Sequence, residues 1–84
     1  MNLEYWTIGR DSKATTYLID LRKAGKEIRA AVDSLQKGIP QDAYKVQDDP
    51  ETWRWLEARH WIVFIAERDR KWIRVTVVES ATEE

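Results

Sequence analysis

Hydrophobic positions in the last third of the chain gather into three runs, separated by charged or turn-forming residues. They are Trp53-Arg54-Trp55-Leu56, then Trp61-Ile62-Val63-Phe64-Ile65-Ala66, then Trp72-Ile73-Arg74-Val75-Thr76-Val77-Val78. β-branched and aromatic residues dominate, the composition that a pleated, half-buried surface favours. The middle run is apolar without a break, which predicts a strand covered on both faces. The third run alternates, with Ile73, Val75 and Val77 on one face and Trp72, Arg74 and Thr76 on the other. Three such strands in succession predict an antiparallel meander. One face meets a core, and the other is left for a partner.

Upstream, the period changes. Leu3 to Ile8 reads as a strand ended by Gly9, and Asp11 or Ser12 supplies an N-cap oxygen for a helix. Ala14, Tyr17, Leu18 and Leu21 then follow the i, i+3, i+4, i+7 spacing of one helical stripe. Gly25 is placed to end that helix in the left-handed conformation. Ile28, Ala31, Val32 and Leu35 repeat the stripe before Gly38 and Pro40 stop it. Two short helices with matched stripes predict an αα-hairpin laid on the sheet, which supplies the missing apolar surface. Gln41 to Pro50 reads as a loop, with Asp48-Asp49-Pro50 its clearest turn signal. The expected fold class is α+β: an N-terminal strand, an αα-hairpin and a three-stranded antiparallel meander, with the helices on one face. Ile62, Phe64, Val75 and Val77 are expected to share one core with Leu18, Leu21, Val32 and Leu35, where truncation to alanine costs about 2–5 kcal/mol.

Composition narrows the picture. The chain of 84 residues suits a single domain, expected over residues 1–79, with 80–84 a disordered acidic tail. With no cysteine and one histidine, neither a disulfide framework nor a zinc site is expected, and no cofactor is implied. No apolar run reaches the length of a membrane span, and the first residues lack the pattern of a secretory leader. A cytoplasmic location with no membrane partner is the expectation. A net charge of −1 exerts no global pull on nucleic acid, so such binding requires a local patch.

The order strand, helix hairpin, meander resembles the RelE/ParE superfamily of toxins from type II toxin–antitoxin systems, over nearly the whole chain. The likeness includes the helix end at Leu35 to Ile39, the segment Ala43-Tyr44-Lys45-Val46 and the strand start Trp53-Arg54. It continues through the central strand ending near Phe64 and the valine-rich last strand. The resemblance implies a small antitoxin as partner. RelE-like members cut mRNA on the ribosome and ParE-like members act on DNA gyrase, so ribosome, mRNA and gyrase are the implied targets. RelE-type nucleases carry several basic residues on the concave sheet face, with further basic groups after the last strand. Here Arg54 takes the first basic position, Leu56 stands at the second, and Trp61 replaces an arginine, with Arg59 two residues earlier. The chain ends in Glu79-Ser80-Ala81-Thr82-Glu83-Glu84, where the family pattern is basic. Cleavage by 2′-hydroxyl attack needs positive charge at the phosphorane and a group to move the proton, and most of that equipment is missing.

His60 is the chain's one histidine, the residue type most used to move protons, and is either a weak candidate for the general base or a partly exposed histidine in a hairpin turn. Arg54 and Arg74 are either a small cationic surface for phosphate or a solvated sheet face with cross-strand partners. Lys45 and Arg59 complete the RNA and phosphate candidates, and Trp72 offers a stacking platform. The other tryptophans are residues of the core or of the sheet edge. Glu67-Arg68-Asp69-Arg70-Lys71 is a solvated charged turn. For a protein partner, the Trp53–Leu56 strand follows the Pro50 turn and is expected at a sheet edge. Trp53, Arg54, Trp55 and Trp72 are then the contact residues. A homodimer through this region is the expectation without an antitoxin. The favoured function is therefore a toxin-family protein that acts by protein binding and carries a degenerate nuclease site. The alternatives are an active ribosome-dependent endoribonuclease rebuilt around Arg54, Arg59 and His60, and a small α+β binding module with no toxin role.

Overall fold

The computed structural model describes residues 5–20, 22 and 24–81. Five strands and two helices follow the order β1 (Thr7–Arg10), α1 (Ser12–Ile19), α2 (Lys26–Asp33), β2 (Tyr44–Asp48), β3 (Glu51–Glu57), β4 (His60–Glu67) and β5 (Trp72–Ser80). A 3₁₀ turn, Ser34–Lys37, extends α2. The strands form one sheet in the order β1-β5-β4-β3-β2. β1 runs parallel to β5, and every other pair is antiparallel. The α+β class and the helix-on-sheet arrangement are as expected.

The meander has four strands, because the segment read as a loop contains β2. All five of its side chains are exposed, so no one-sided burial leaves a periodic trace in the sequence. Its presence makes β3 an internal strand, hydrogen-bonded to β2 on one side and β4 on the other, and overturns the expected edge at Trp53–Leu56. The edges of the sheet are β1 and β2.

One core lies between sheet and helices. Trp55, Ile62, Phe64, Ile73, Val75 and Val78 meet Ala14, Leu18, Ala24, Ile28, Ala31, Val32 and Leu35. Val77 is replaced by Val78 as a core residue. Val63 pairs with Val77 while Phe64 pairs with Val75, so Thr76 is an extra residue in β5 and the alternation changes phase there. The Thr76 hydroxyl donates to the Val63 carbonyl at 3.2 Å. Burial in β4 also alternates, with Ile62, Phe64 and Ala66 buried and Trp61, Val63 and Ile65 half-buried. The strand expected to be covered on both faces is therefore covered on one.

The helix ends differ from expectation in their physical cause. Asp11 is the N-cap residue of α1, but its carboxylate makes no capping bond; one oxygen lies 3.6 Å from Arg74 Nε. α1 stops at Ile19, and Gly25 serves as N-cap of α2 with extended backbone (φ −76°), so no left-handed glycine closes α1. The connection is held by Arg29, whose guanidinium donates to the Leu18 and Ala24 carbonyls at 3.2 and 2.7 Å. Gly38 does adopt the left-handed region (φ 112°) and ends the 3₁₀ turn, as its position requires. Leu21, Leu3 and residues 82–84 lie outside the described residues, and Ser80, expected in the tail, is the last residue of β5.

Candidate functional site

Cross-strand register sorts the candidate side chains onto two faces. Trp53 pairs with Phe64, Trp55 with Ile62 and Ile73 with Ala66, so these share the helix-covered face. Arg54 pairs with Val63, Leu56 with Trp61, Thr52 with Ile65 and Arg74 with Ile65, which places them on the open face. Arg54 and Arg74 flank β4 there, on β3 and β5. Strand spacing puts their Cα atoms roughly 10–12 Å apart.

The open face is apolar at its centre, and its charged surround is mixed, with Arg54 and Arg74 against Glu67 and Glu79. The Arg54 guanidinium lies 4.4 Å from the Trp61 ring centroid and 5.9 Å from that of Tyr44, and the two rings are 6.5 Å apart. Stacking of this kind stabilises a guanidinium with little water around its faces. Among the described residues no carboxylate comes within ion-pair distance of Arg54. Arg74 Nε is shielded from solvent and has no hydrogen-bond partner, since Asp11 at 3.6 Å is beyond bonding reach. Trp72 packs against Gly9, where an added Cβ would stand 3.0 Å from the indole nitrogen. Arg70 stacks on the same indole at 4.7 Å. Leu56 and Tyr44 are exposed, and Trp61, Val63 and Ile65 are half-buried.

His60 belongs to the other face. Its Nδ1 lies 2.8 Å from the Ala58 carbonyl, which accepts only, so Nδ1 carries a proton and points into the turn. In neutral imidazole Nε2 is then the acceptor, and the Tyr17 hydroxyl donates to it at 2.9 Å. The rings meet edge-on at 5.5 Å. Burial, followed by the carboxylates of Asp20 and Glu79, holds the Tyr17 phenol above its ordinary value. His60 thus ties α1 to the start of β4, and the arginines of the open face are on the far side of the sheet.

The remaining candidates separate similarly. Lys45 shares the helix-side face with Trp53, 5.8 Å above its ring, and pairs with Asp48 at 3.1 Å. Arg59 is exposed in the β3–β4 turn with φ 63°. Trp55 is buried and donates its indole N–H to Asp42 at 3.0 Å. Trp53 donates to Glu51 at 3.0 Å, and Arg68 binds both Glu51 oxygens at 2.7–3.1 Å. Trp53 and Trp55, expected at a partner-facing edge, therefore face the helix side of an internal strand. Tyr44 and Trp61 complete the open face instead. Their pairing with Arg54 depends on β2, which has no periodic signal in the sequence.

No protein-family model and no curated protein matches the sequence. The fold, however, is similar to that of a solved structure, the RelBE2 toxin–antitoxin complex from Mycobacterium tuberculosis. The match covers 96% of this chain and 98% of that one, with a TM-score of 0.65 and 16% identity. The fold is RelE-like. The sheet face of this chain that its own helices leave free carries Arg54, Trp61 and Arg74. Among the described residues no helix is long and apolar enough to cross a membrane, and no three metal-binding side chains cluster.

Proposed function

We propose that this chain is a toxin-family protein that works by binding another protein through its open sheet face, with a nuclease site too depleted for efficient catalysis. The partner is of the antitoxin kind, a small protein able to cover an apolar strip and offer carboxylates to Arg54 and Arg74. The observation that carries the reading is the placement of His60. The chain's one histidine is hydrogen-bonded to Tyr17 beneath α1, on the opposite side of the sheet from both arginines. A proton-moving group must lie within hydrogen-bond reach of the atom it serves, and here it does not share a face with the phosphate-binding candidates. The carboxylate-free Arg54, stacked on Tyr44 and Trp61, has the residue types that contribute most at desolvated interfaces.

The test has two arms. A ribosome-programmed translation reaction with the purified protein should leave mRNA intact; efficient, codon-positioned cleavage would overturn the binding-only reading. Co-purification with the product of an adjacent small gene should be lost in Leu56→Asp and Arg54→Glu while folding is retained. Truncation at such positions typically costs about 2 kcal/mol or more, near thirtyfold in affinity. Capture unaffected by both variants would place the partner elsewhere.

A further inference from the structure

We propose that two copies of this chain associate edge to edge through β2, antiparallel about a two-fold axis, joining their sheets into one. This goes beyond the binding role above and uses the backbone edge of β2, which shares only Tyr44 with the open face, so either reading stands if the other fails.

An edge strand carries a row of backbone N–H and C=O groups that a further strand satisfies. The two edges here differ. β1 has four residues; the Trp6 N–H just before it is bonded to the Gln36 carbonyl at 2.7 Å, and Arg10 at its end pairs with Asp33 at 2.9 Å. β2 has five residues, all exposed, and belongs to the part of the sheet that the core does not reach. Tyr44 and Val46 keep 58% and 54% of their surface accessible, among the largest apolar exposures of the described residues. A lysine and a register shift are devices that discourage edge pairing, and β2 has both, Lys45 and the irregularity between Lys45 and Gln47. The lysine, however, has its complement on the same strand.

Charge and register select the second copy as the occupant. Lys45 and Asp48 stand on one face of the strand, 3.1 Å apart. When two β2 strands run antiparallel with Lys45 opposite Asp48 of the other copy, the two-fold repeats the match, giving two ion pairs across the axis. Opposite charges in directly facing positions favour pairing, and like charges oppose it. A net charge of −1 adds almost no repulsion between copies. The interface is a single strand wide, so association is weak and depends on concentration.

Sedimentation of the wild type, Lys45→Asp, Asp48→Lys and an equimolar mixture of the two variants tests this. The wild type should dimerise as concentration rises to about 0.5 mM, and each variant alone should associate at least about tenfold more weakly. Each variant places like charges across the axis, twice. In the mixture each aspartate of one variant faces a lysine of the other, so heterodimers should form and appear by mass in native mass spectrometry. A pair acting only within one chain would not produce that recovery. A wild type that stays monomeric, a dimer indifferent to both variants, or a mixture no more associated than its components would overturn the proposal. Amide exchange on the wild type needs no variant: residues 44–48 should become protected with rising concentration, and unchanged exchange there also refutes it.

Discussion

Glu51 is among the most heavily engaged polar side chains of the described residues, accepting from Arg68 through both oxygens and from the Trp53 indole. The Arg68 hydrogen bonds are the main reason that its carboxyl lies below the usual glutamate range; burial opposes the shift, and Trp53 and Lys45 assist it. A carboxylate depressed in the folded state contributes stability above its unfolded value of about 4.3 and loses it as pH falls through the folded value. Glu51→Gln should therefore destabilise the protein at pH 7 by about 0.5–1 kcal/mol, allowing for the exposure of Arg68. The difference should shrink as pH falls below about 4.3. Urea unfolding across that range checks it, and a pH-independent gap would remove the ion pair as the cause. None of this was legible in the sequence, where Glu51 stood between the Pro50 turn and the Trp53–Leu56 run and Arg68 sat in a charged turn. Their meeting depends on the β3–β4 register, which carries no local signal.

At the scale of elements, periodicity carried far when one face of an element is buried and failed where that condition is absent. The stripe Ile28, Ala31, Val32 and Leu35 is buried as read, and the three aromatic runs are β3, β4 and β5. β2 left no trace because it is exposed throughout, and the phase change at Thr76 was hidden because Val77 and Val78 are alike in residue type. The β3–β4 turn shows another limit. Ala58 and Arg59 both have positive φ, 53° and 63°, as a tight two-residue hairpin with the right twist requires. Neither residue prefers that region; asparagine and glycine do. The double replacement Ala58→Asn with Arg59→Gly should raise stability by about 1 kcal/mol or more, read as a higher denaturant midpoint with an unchanged slope. A lower midpoint would mean that Ala58 packing against the core outweighs the backbone gain.

On the scale of the whole molecule, the RelE-like architecture was legible because element order and helix stripes both pointed to helices on one side of a sheet. The candidate site was legible only in part. Arg54 and Arg74 do share a face, but which residues lie beside them depends on β2 and on the bulge in β5. One layer of helices leaves Trp61, Val63, Ile65 and Leu56 in contact with water in the free protein. That asymmetry has a calorimetric consequence. Ordered water over an apolar strip stores heat capacity, which is released when the strip is covered. A protein that occupies this face should bind with a negative heat-capacity change, measured as an enthalpy growing more exothermic between about 10 and 35 °C. Leu56→Asp should flatten that slope as well as weaken binding. A partner held by the arginines alone would show an enthalpy nearly constant with temperature and an affinity that collapses in salt.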